Sequence, residues 1–199
     1  MYAEAEVVTV HSVAEAYLYA MVLRCPTCGK GPMKPRRDLT RKEASPGGWM
    51  MVAYCAACGD DVALHFAIDP PPTREQARSD CINPTPQRSQ AIDLLGWLSL
   101  FQTIIAESEK SADKRTGRQL AHEAAQCLDE AMKFYDGGNE LPGEGAFFGQ
   151  DSPRRFRDHP EYFNRSKWRQ RRLMLPEFTS QTHSPHEKRR RWWQFWRRG

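Results

Sequence analysis

The 199-residue sequence lacks the signatures of several protein classes. It contains no apolar run close to the ~20 residues with which a helix crosses a bilayer. It has no Gly-x-Gly-x-x-Gly, no Walker Gly-Lys-Ser/Thr and no Gly-x-Ser-x-Gly sequence. No catalytic motif or small-molecule substrate site is evident, so we expect a protein that is not an enzyme. An enzyme with an unfamiliar site is the alternative, because a motif search does not detect such sites.

Apolar residues are also scarce, at 40% of the chain, and the mean hydropathy is −0.72. This composition predicts a modest core and a substantial amount of exposed chain. The first residues include Glu4 and Glu6, where a secretory signal would carry basic residues before a long apolar run. We therefore expect a cytoplasmic protein, in which cysteines stay reduced and bind metal rather than form disulfides.

Charge is distributed unevenly along the chain, although the net charge is only +4. Residues 1–152 carry a net charge of −6, from 15 basic and 21 acidic side chains. Residues 153–199 carry +10, from 14 basic and 4 acidic side chains. A mildly acidic body with a strongly basic end predicts that the C-terminal region meets an anionic partner.

Four cysteines carry the most specific pattern, in the two knuckles Cys25-x₂-Cys28-Gly and Cys55-x₂-Cys58-Gly. Each C-x₂-C pair can hold one edge of a tetrahedral zinc ion, and two pairs complete its shell. A closed shell leaves no position for water or substrate, so we expect one structural Zn²⁺. The alternative is a redox dithiol, which a single C-x₂-C also fits but which does not require the second pair.

The residues around the knuckles predict strands. A turn at Ser45–Gly48 precedes the β-prone run Trp49–Tyr54, a second run covers Val62–Phe66, and Met33–Arg41 is expected to form a polar edge strand. With the two Cys-x₂-Cys-Gly motifs, residues 24–68 resemble the zinc-ribbon family. The resemblance implies a three-stranded ribbon around one zinc, but no particular function, because such ribbons occur in nucleic-acid-binding proteins, enzymes and adaptors.

Helical periodicity predicts the remainder of the fold. A helix is expected over 12–23, with Ser12 and Glu15 as a capping box, and a helical hairpin over 88–110 and 114–136. We therefore predict an α+β protein, with a preceding helix and small β zinc ribbon packed with an αα-hairpin, and a basic, partly disordered C-terminal tail. The expected divisions are helix plus ribbon 1–68, Pro-rich linker 69–87, hairpin domain 88–152, basic aromatic helical segment 153–176, and tether with Trp/Arg tail 177–199.

Residues 154–172 interleave arginines with aromatic side chains, which admits two interpretations. The cations can neutralise phosphates while the rings stack on unpaired bases. Alternatively, the aromatics pack on the protein body and the cations are merely solvated.

The last eleven residues, 189–199, combine three tryptophans and a phenylalanine with arginines. As a helix they would form an imperfectly segregated amphipathic surface. An anionic lipid surface, RNA or single-stranded DNA, and the acidic body of the protein itself are all possible binding partners.

The leading functional hypothesis is a non-catalytic zinc-binding protein whose basic aromatic C-terminal region contacts nucleic acid, with RNA preferred. The alternative is a protein-interaction adaptor held at an anionic membrane surface by its Trp/Arg tail. The expected nucleic-acid or lipid contacts are Arg154, Arg155, Arg157, Lys167, Trp168, Arg169, Arg171, Arg172, Arg190, Arg191, Trp192, Trp193, Trp196, Arg197 and Arg198.

Overall fold

A computed structural model describes residues 7–36, 40–41, 48–71, 73 and 81–175. Helices and a small sheet are both present, so the predicted α+β class is confirmed. Two compact units contain the described residues; the first lies within residues 1–92 and the second begins at Asp93. The predicted tether and Trp/Arg tail, residues 177–199, lie outside the described residues.

The first unit contains one mixed sheet. Its strands are β1 (Val7–Val10), β2 (Met33–Pro35), β3 (Thr40–Arg41), β4 (Gly48–Cys55) and β5 (Asp61–Ile68). Their order is β1-β5-β4-β2, and β3 also pairs with β4. The central pair β4–β5 is antiparallel, with Trp49 opposite Phe66, and β1 runs parallel to β5. Burial alternates along β4 and β5, which places one face of each strand on the core.

The sheet differs from the three-stranded ribbon that the family resemblance implied. Strands β2 and β3 both lie within the single edge strand expected over Met33–Arg41, β4 and β5 correspond to the other two, and β1 enlarges the sheet. Strand β1 has only four residues, and its partner β5 lies more than fifty residues further along the chain. Because this pairing is non-local, no short-range turn signal marks it, although Val10 is completely buried.

Helix α1 (Val13–Val22) packs its apolar face in the first unit, and the Tyr19 ring meets Phe66 edge-on at 5.9 Å. Ser12 caps the helix as predicted, because its Oγ accepts the Glu15 amide at 3.0 Å. The other half of the predicted capping box is wrong. The Glu15 carboxylate accepts from the backbone amide of His11 rather than from Ser12, and both His11 and Glu15 are buried.

Residues 81–92 lead into the first helix of the second unit and also contribute to the core of the first unit. Ile82 and Asn83 are buried, and the Ser12 hydroxyl donates to the Ile82 carbonyl. The Asn83 side chain accepts from the Thr85 amide at 2.9 Å and donates to the Gln87 carbonyl at 2.9 Å. This segment is therefore an ordered loop, fixed by its own asparagine.

In the second unit, α2 (Leu94–Lys110) and α3 (Lys114–Met132) pack together as a helical hairpin, which confirms that element of the prediction. Helix α2 begins six residues later than predicted, because the Ser89 hydroxyl binds the amides of Ala91 and Ile92 in a turn. Asp93 then caps α2 by accepting the Gly96 amide at 2.9 Å. Asp113 caps α3 in the same way.

The second unit continues through short helices. These are a 3₁₀ turn at Glu144–Ala146, α4 (Ser152–Asp158), a 3₁₀ turn at Pro160–Phe163, and α5 (Arg165–Leu173). Phe147 stacks on Phe156 at 4.4 Å and meets Phe163 edge-on at 4.8 Å. Trp168 of α5 meets Phe101 of α2 edge-on at 5.9 Å. Aromatic contacts thus join the basic segment to the helical hairpin.

None of the helices in the described ranges combines the length and apolar character needed to cross a membrane.

Candidate functional site

The two cysteine knuckles have the same backbone hydrogen bonds. The amide of Cys25 donates to the Lys30 carbonyl at 2.5 Å, and the amide of Gly29 donates to the Cys25 carbonyl at 2.8 Å. In the second knuckle, the corresponding bonds run from Cys55 to Asp60 at 2.8 Å and from Gly59 to Cys55 at 2.9 Å. Each knuckle is therefore an independent tight turn that fixes its first cysteine by bonds at the same spacing.

Both turns depend on a glycine in the left-handed region. Gly29 has a φ of 68° and Gly59 a φ of 83°. A side chain at either position would meet no other atom within 4 Å, so the requirement comes from the backbone and not from crowding. Glycine adopts this conformation readily because it has no Cβ, which explains why each knuckle ends in glycine.

Strand pairing brings the two turns together. In the β2–β4 register, Met33 lies opposite Cys55, and the Ala56 amide donates to the Pro32 carbonyl at 3.1 Å. The chain that leaves the first knuckle is thus paired with the residues that open the second. The sequence predicts a strand here, but its register, which joins the knuckles, depends on residues more than twenty positions apart.

All four sulfur atoms lie within 4.8 Å of one another. Cys25 Sγ is 3.6 Å from Cys58 Sγ, and Cys28 Sγ is 3.6 Å from Cys55 Sγ. Four ligands at about 2.3 Å from a tetrahedral ion would be separated by roughly 3.8 Å. The sulfur positions therefore fit a single four-coordinate metal ion.

Backbone amides stabilise thiolates at the first position of each knuckle. The Cys28 amide is the largest influence on Cys25 and lowers the pKa of its thiol to about 7, against the opposing effect of burial. The Cys58 amide likewise lowers the pKa of Cys55, and the Ala57 amide donates to Cys55 Sγ at 3.3 Å. Amides that donate to sulfur in this way orient metal-bound thiolates and stabilise their negative charge.

The pKa of Cys58 shifts in the opposite direction, and three other cysteine sulfurs lie beside it. The Asp60 amide favours its thiolate, but burial and the three neighbouring cysteines prevail and raise its pKa to about 12. Four thiolates this close together repel one another unless a cation neutralises them. The donor set consequently has the chemistry of a metal site, in which a divalent ion would supply the compensating charge.

The same geometry bears on the redox alternative. A redox C-x₂-C pair forms its disulfide within one motif. Here the 3.6 Å contacts join cysteines of different knuckles, with Cys25 beside Cys58 and Cys28 beside Cys55. This arrangement favours shared ligation of one ion over two separate dithiols.

An ion pair and a cation–π contact lie on the sheet beside the knuckles. Arg36 pairs with Asp61, and its guanidinium lies 4.7 Å from the centre of the Tyr54 ring. Both charged side chains are about half exposed, so the pair contributes at most about 1 kcal/mol. Its role is to join β2 to β5 across β4.

The basic segment displays its charge on the surface. Residues 153–175 contain eight basic and two acidic side chains. Six of the predicted contact residues are exposed: Arg154, Arg155, Arg157, Lys167, Arg169 and Arg171. Within the part of the chain that the structure describes, Arg155, Arg157 and Arg169 form no ion pair. This surface is therefore rich in uncompensated positive charge.

Two of the predicted contact residues have structural roles instead. Trp168 is only 1% exposed, and its indole N–H donates to the Tyr162 carbonyl at 2.7 Å, so its ring is not available to stack on a base. Arg172 forms a bidentate pair with Asp129, at 2.7 and 3.1 Å, which anchors α5 to α3. The geometry favours the interpretation in which the aromatics pack inward.

Glu140 was not identified from the sequence, yet it fixes the start of α5. Its carboxylate accepts from the Ser166 amide at 3.1 Å and from the Ser166 hydroxyl at 2.7 Å, and its carbonyl accepts the Arg165 amide at 2.8 Å. The sequence carries no short-range signal for this role, because Glu140 and Ser166 are 26 residues apart. The remaining predicted contacts lie outside the described residues: Arg190, Arg191, Trp192, Trp193, Trp196, Arg197 and Arg198.

Comparison with known proteins yields no match to any family model, curated protein or solved structure. The function therefore has to be argued from the two sites themselves.

Proposed function

We propose that this chain is a non-catalytic zinc-binding protein whose basic C-terminal region contacts nucleic acid, with RNA as the preferred partner. Four cysteine sulfurs within 4.8 Å of one another support zinc, because sulfur-rich tetrahedral sites are typical of Zn²⁺. All four positions would be filled by protein ligands, so the ion would stabilise the fold and activate no water. A zinc-ribbon module over residues 24–68 is the corresponding family assignment.

The observation that carries the nucleic-acid proposal is the outward-facing charge of α4 and α5. Six exposed cations lie on a segment in which Phe163 and Trp168 are buried, whereas Phe156 and Tyr162 are partly exposed. Such a surface suits the regularly spaced phosphates of a nucleic-acid backbone and carries no groups that read base sequence. We therefore expect binding that is strong at low salt and largely independent of sequence.

RNA is preferred over duplex DNA because of the C-terminal residues 189–199. Their tryptophans offer stacking surfaces for unpaired bases, which single-stranded RNA presents. Stacking by this segment would complement the phosphate contacts made by α4 and α5.

Fluorescence anisotropy with a labelled single-stranded RNA, measured over a series of salt concentrations, tests this proposal. The logarithm of the affinity should fall linearly with the logarithm of salt concentration, with a slope of about −0.7 for each phosphate neutralised. A duplex DNA of equal length should bind more weakly. Absence of binding at low salt, or binding that salt does not weaken, would contradict the proposal.

One observation favours a second candidate, a protein-interaction adaptor at an anionic membrane surface. Leu173 and Met174 at the end of α5 are 77% and 80% exposed beside the cations of that helix. Apolar side chains next to basic ones suit the headgroup region of anionic lipid. Co-sedimentation with phosphatidylserine vesicles of the full chain, and of a chain ending at Glu187, tests this candidate. The truncated chain should pellet more weakly than the full chain, because it keeps only the α5 contact. Equal pelleting of the two chains would contradict anchoring by the Trp/Arg tail.

We also propose a cytoplasmic location. Metal binding by Cys25, Cys28, Cys55 and Cys58 requires reduced thiols, and the cytoplasm maintains them. Alkylation of the unfolded protein after rapid lysis, with and without prior reduction, would show whether these cysteines are thiols in the cell.

A further inference from the structure

The basic surface of α4 and α5 is not uniform, because several of its cations converge on one pair of rings. Tyr162 and Trp168 meet edge-on, with centroids 5.2 Å apart. Lys167 Nζ lies 5.3 Å from the Tyr162 ring centre and 5.5 Å from that of Trp168. The Arg171 guanidinium lies 5.9 Å from the Trp168 ring centre.

Helix α4, which carries Arg155, packs against the 3₁₀ turn that contains Tyr162. Burial raises the pKa of Tyr162, and the positive charges of Arg155 and Arg171 act in the opposite direction. Arg155 belongs to α4 and Arg171 to α5, so cations from two helices act on one phenol. The Tyr162 hydroxyl therefore remains a neutral hydrogen-bond donor at physiological pH, within a field of positive charge.

Two of these cations, Lys167 and Arg171, lie against a buried ring. Trp168 is buried and held by its hydrogen bond to the Tyr162 carbonyl, so the ring against which Lys167 and Arg171 lie is fixed. Cation–π contact holds the charged groups near the rings and reduces the entropy lost when they bind an anion. The acidic neighbour Glu161 lies beside His159, with His159 Nδ1 at 3.5 Å from its carboxylate.

We infer that this convergence is a binding site for one backbone phosphate of the nucleic acid, formed by three cations and one phenol: Arg155, Lys167, Arg171 and Tyr162. The inference rests on the proposed function and adds to it a fixed point of contact on an otherwise diffuse surface. The cations supply charge-assisted hydrogen bonds to phosphate oxygens, and the Tyr162 hydroxyl donates one more.

The two helices provide matched controls for this site. Arg157 and Arg169 lie two residues from Arg155 and Arg171, and are thus rotated by about 200° to the opposite side of each helix. All four arginines are exposed. Exchange of any of them for glutamine removes the same charge, so a difference between the pairs reports position and not net charge.

The test measures anisotropy of a fluorescein-labelled single-stranded RNA with the full chain and its variants. Arg155→Gln and Arg171→Gln should each weaken binding by about tenfold and reduce the salt slope by about one phosphate contact. Tyr162→Phe should weaken it by about threefold without changing the slope, because it removes a neutral donor. Arg157→Gln and Arg169→Gln should have less than about a threefold effect.

Equal losses of RNA affinity for the control and the site arginine variants would overturn the inference, because every cation of the surface would then contribute equally. The proposed function would still stand. Wild-type affinity for the Tyr162→Phe variant would overturn the assigned donor. If the wild type binds no RNA, the proposed function itself fails. The protein could instead bind phosphatidylserine vesicles and not RNA, and the Arg155→Gln variant could lose that vesicle binding. This result would assign the site to lipid phosphate and overturn the nucleic-acid assignment.

Discussion

The knuckles and the basic helices differ in how their functional side chains are positioned. In the first unit, two identical turns and one strand register bring four cysteines to a single point. In the second, aromatic residues pack inward, and the cations between them are left on the surface. The first site is built from local backbone geometry, whereas the second is a consequence of core packing.

This difference determines how each region should respond to mutation. A change at a knuckle removes a ligand or a turn and should affect metal binding and folding together. A change at a buried aromatic of α5 should affect folding, and a change at an exposed cation should affect binding alone. Four perturbations, in order of expected effect, test this distinction.

The largest effect should come from loss of the metal. Structural zinc contributes on the order of 10 kcal/mol or more to folding, which is comparable to the whole stability of a typical domain. Chelation, or the substitution Cys55→Ser, should therefore remove the protection of β4 and β5 amides from hydrogen exchange while α2 and α3 retain theirs. Cys81→Ser is the control, because Cys81 lies outside the four-sulfur cluster. Retained protection in β4 and β5 after metal removal would contradict this account.

Trp168→Ala should have the next largest effect. It removes a fully buried indole together with its contacts to Phe101 and Tyr162, at a cost of about 3–5 kcal/mol. The exposed neighbour offers the control Arg169→Ala, which should change stability by less than about 0.5 kcal/mol. Urea denaturation measures both. Unchanged stability of the Trp168→Ala variant would contradict the buried, packed position of this ring.

Gly59→Ala should have an intermediate effect. Its φ of 83° disfavours any side chain, at a cost of roughly 1–2 kcal/mol, although the surrounding space is empty. Because the strained turn carries Cys58, zinc affinity measured by competition with a chelator should fall as well. Gly145→Ala is the matched control, since that glycine has no positive φ and no neighbour within 4 Å. Similar losses for the two variants would show that the turn is not the cause.

Asp129→Asn should have the smallest effect. The Arg172–Asp129 pair is bidentate but partly exposed, and such pairs contribute about 1 kcal/mol or less. Stability should fall slightly, less so at high salt, whereas RNA affinity should stay constant or rise because a negative charge is lost. Thermal unfolding and anisotropy test the two statements. A substantial loss of RNA affinity would show that the Arg172 contact positions the binding surface.

The sequence was informative wherever spacing along the chain determines position in space. Three features are of this kind: the paired Cys-x₂-Cys-Gly motifs, the N-cap at Ser12 and the helical hairpin. The first two depend on residues only a few positions apart, and the hairpin depends on apolar residues repeated at helical spacing over many positions. The location of four candidate ligands in one cluster follows from two such local patterns and one strand register.

Features that depend on distant partners were predicted poorly. Strand β1 needs β5, and the start of α5 needs Glu140. For Trp168, an alternating basic and aromatic pattern is equally compatible with an exposed or a buried ring. Only the aromatic contacts in the second unit distinguish these two states.

X-ray absorption at the zinc K edge of the purified full chain, together with its metal content, tests the central claim most directly. The account predicts one zinc ion per chain with four sulfur neighbours at about 2.3 Å. Absence of stoichiometric metal, or a zinc ion coordinated mainly by nitrogen or oxygen, would contradict it.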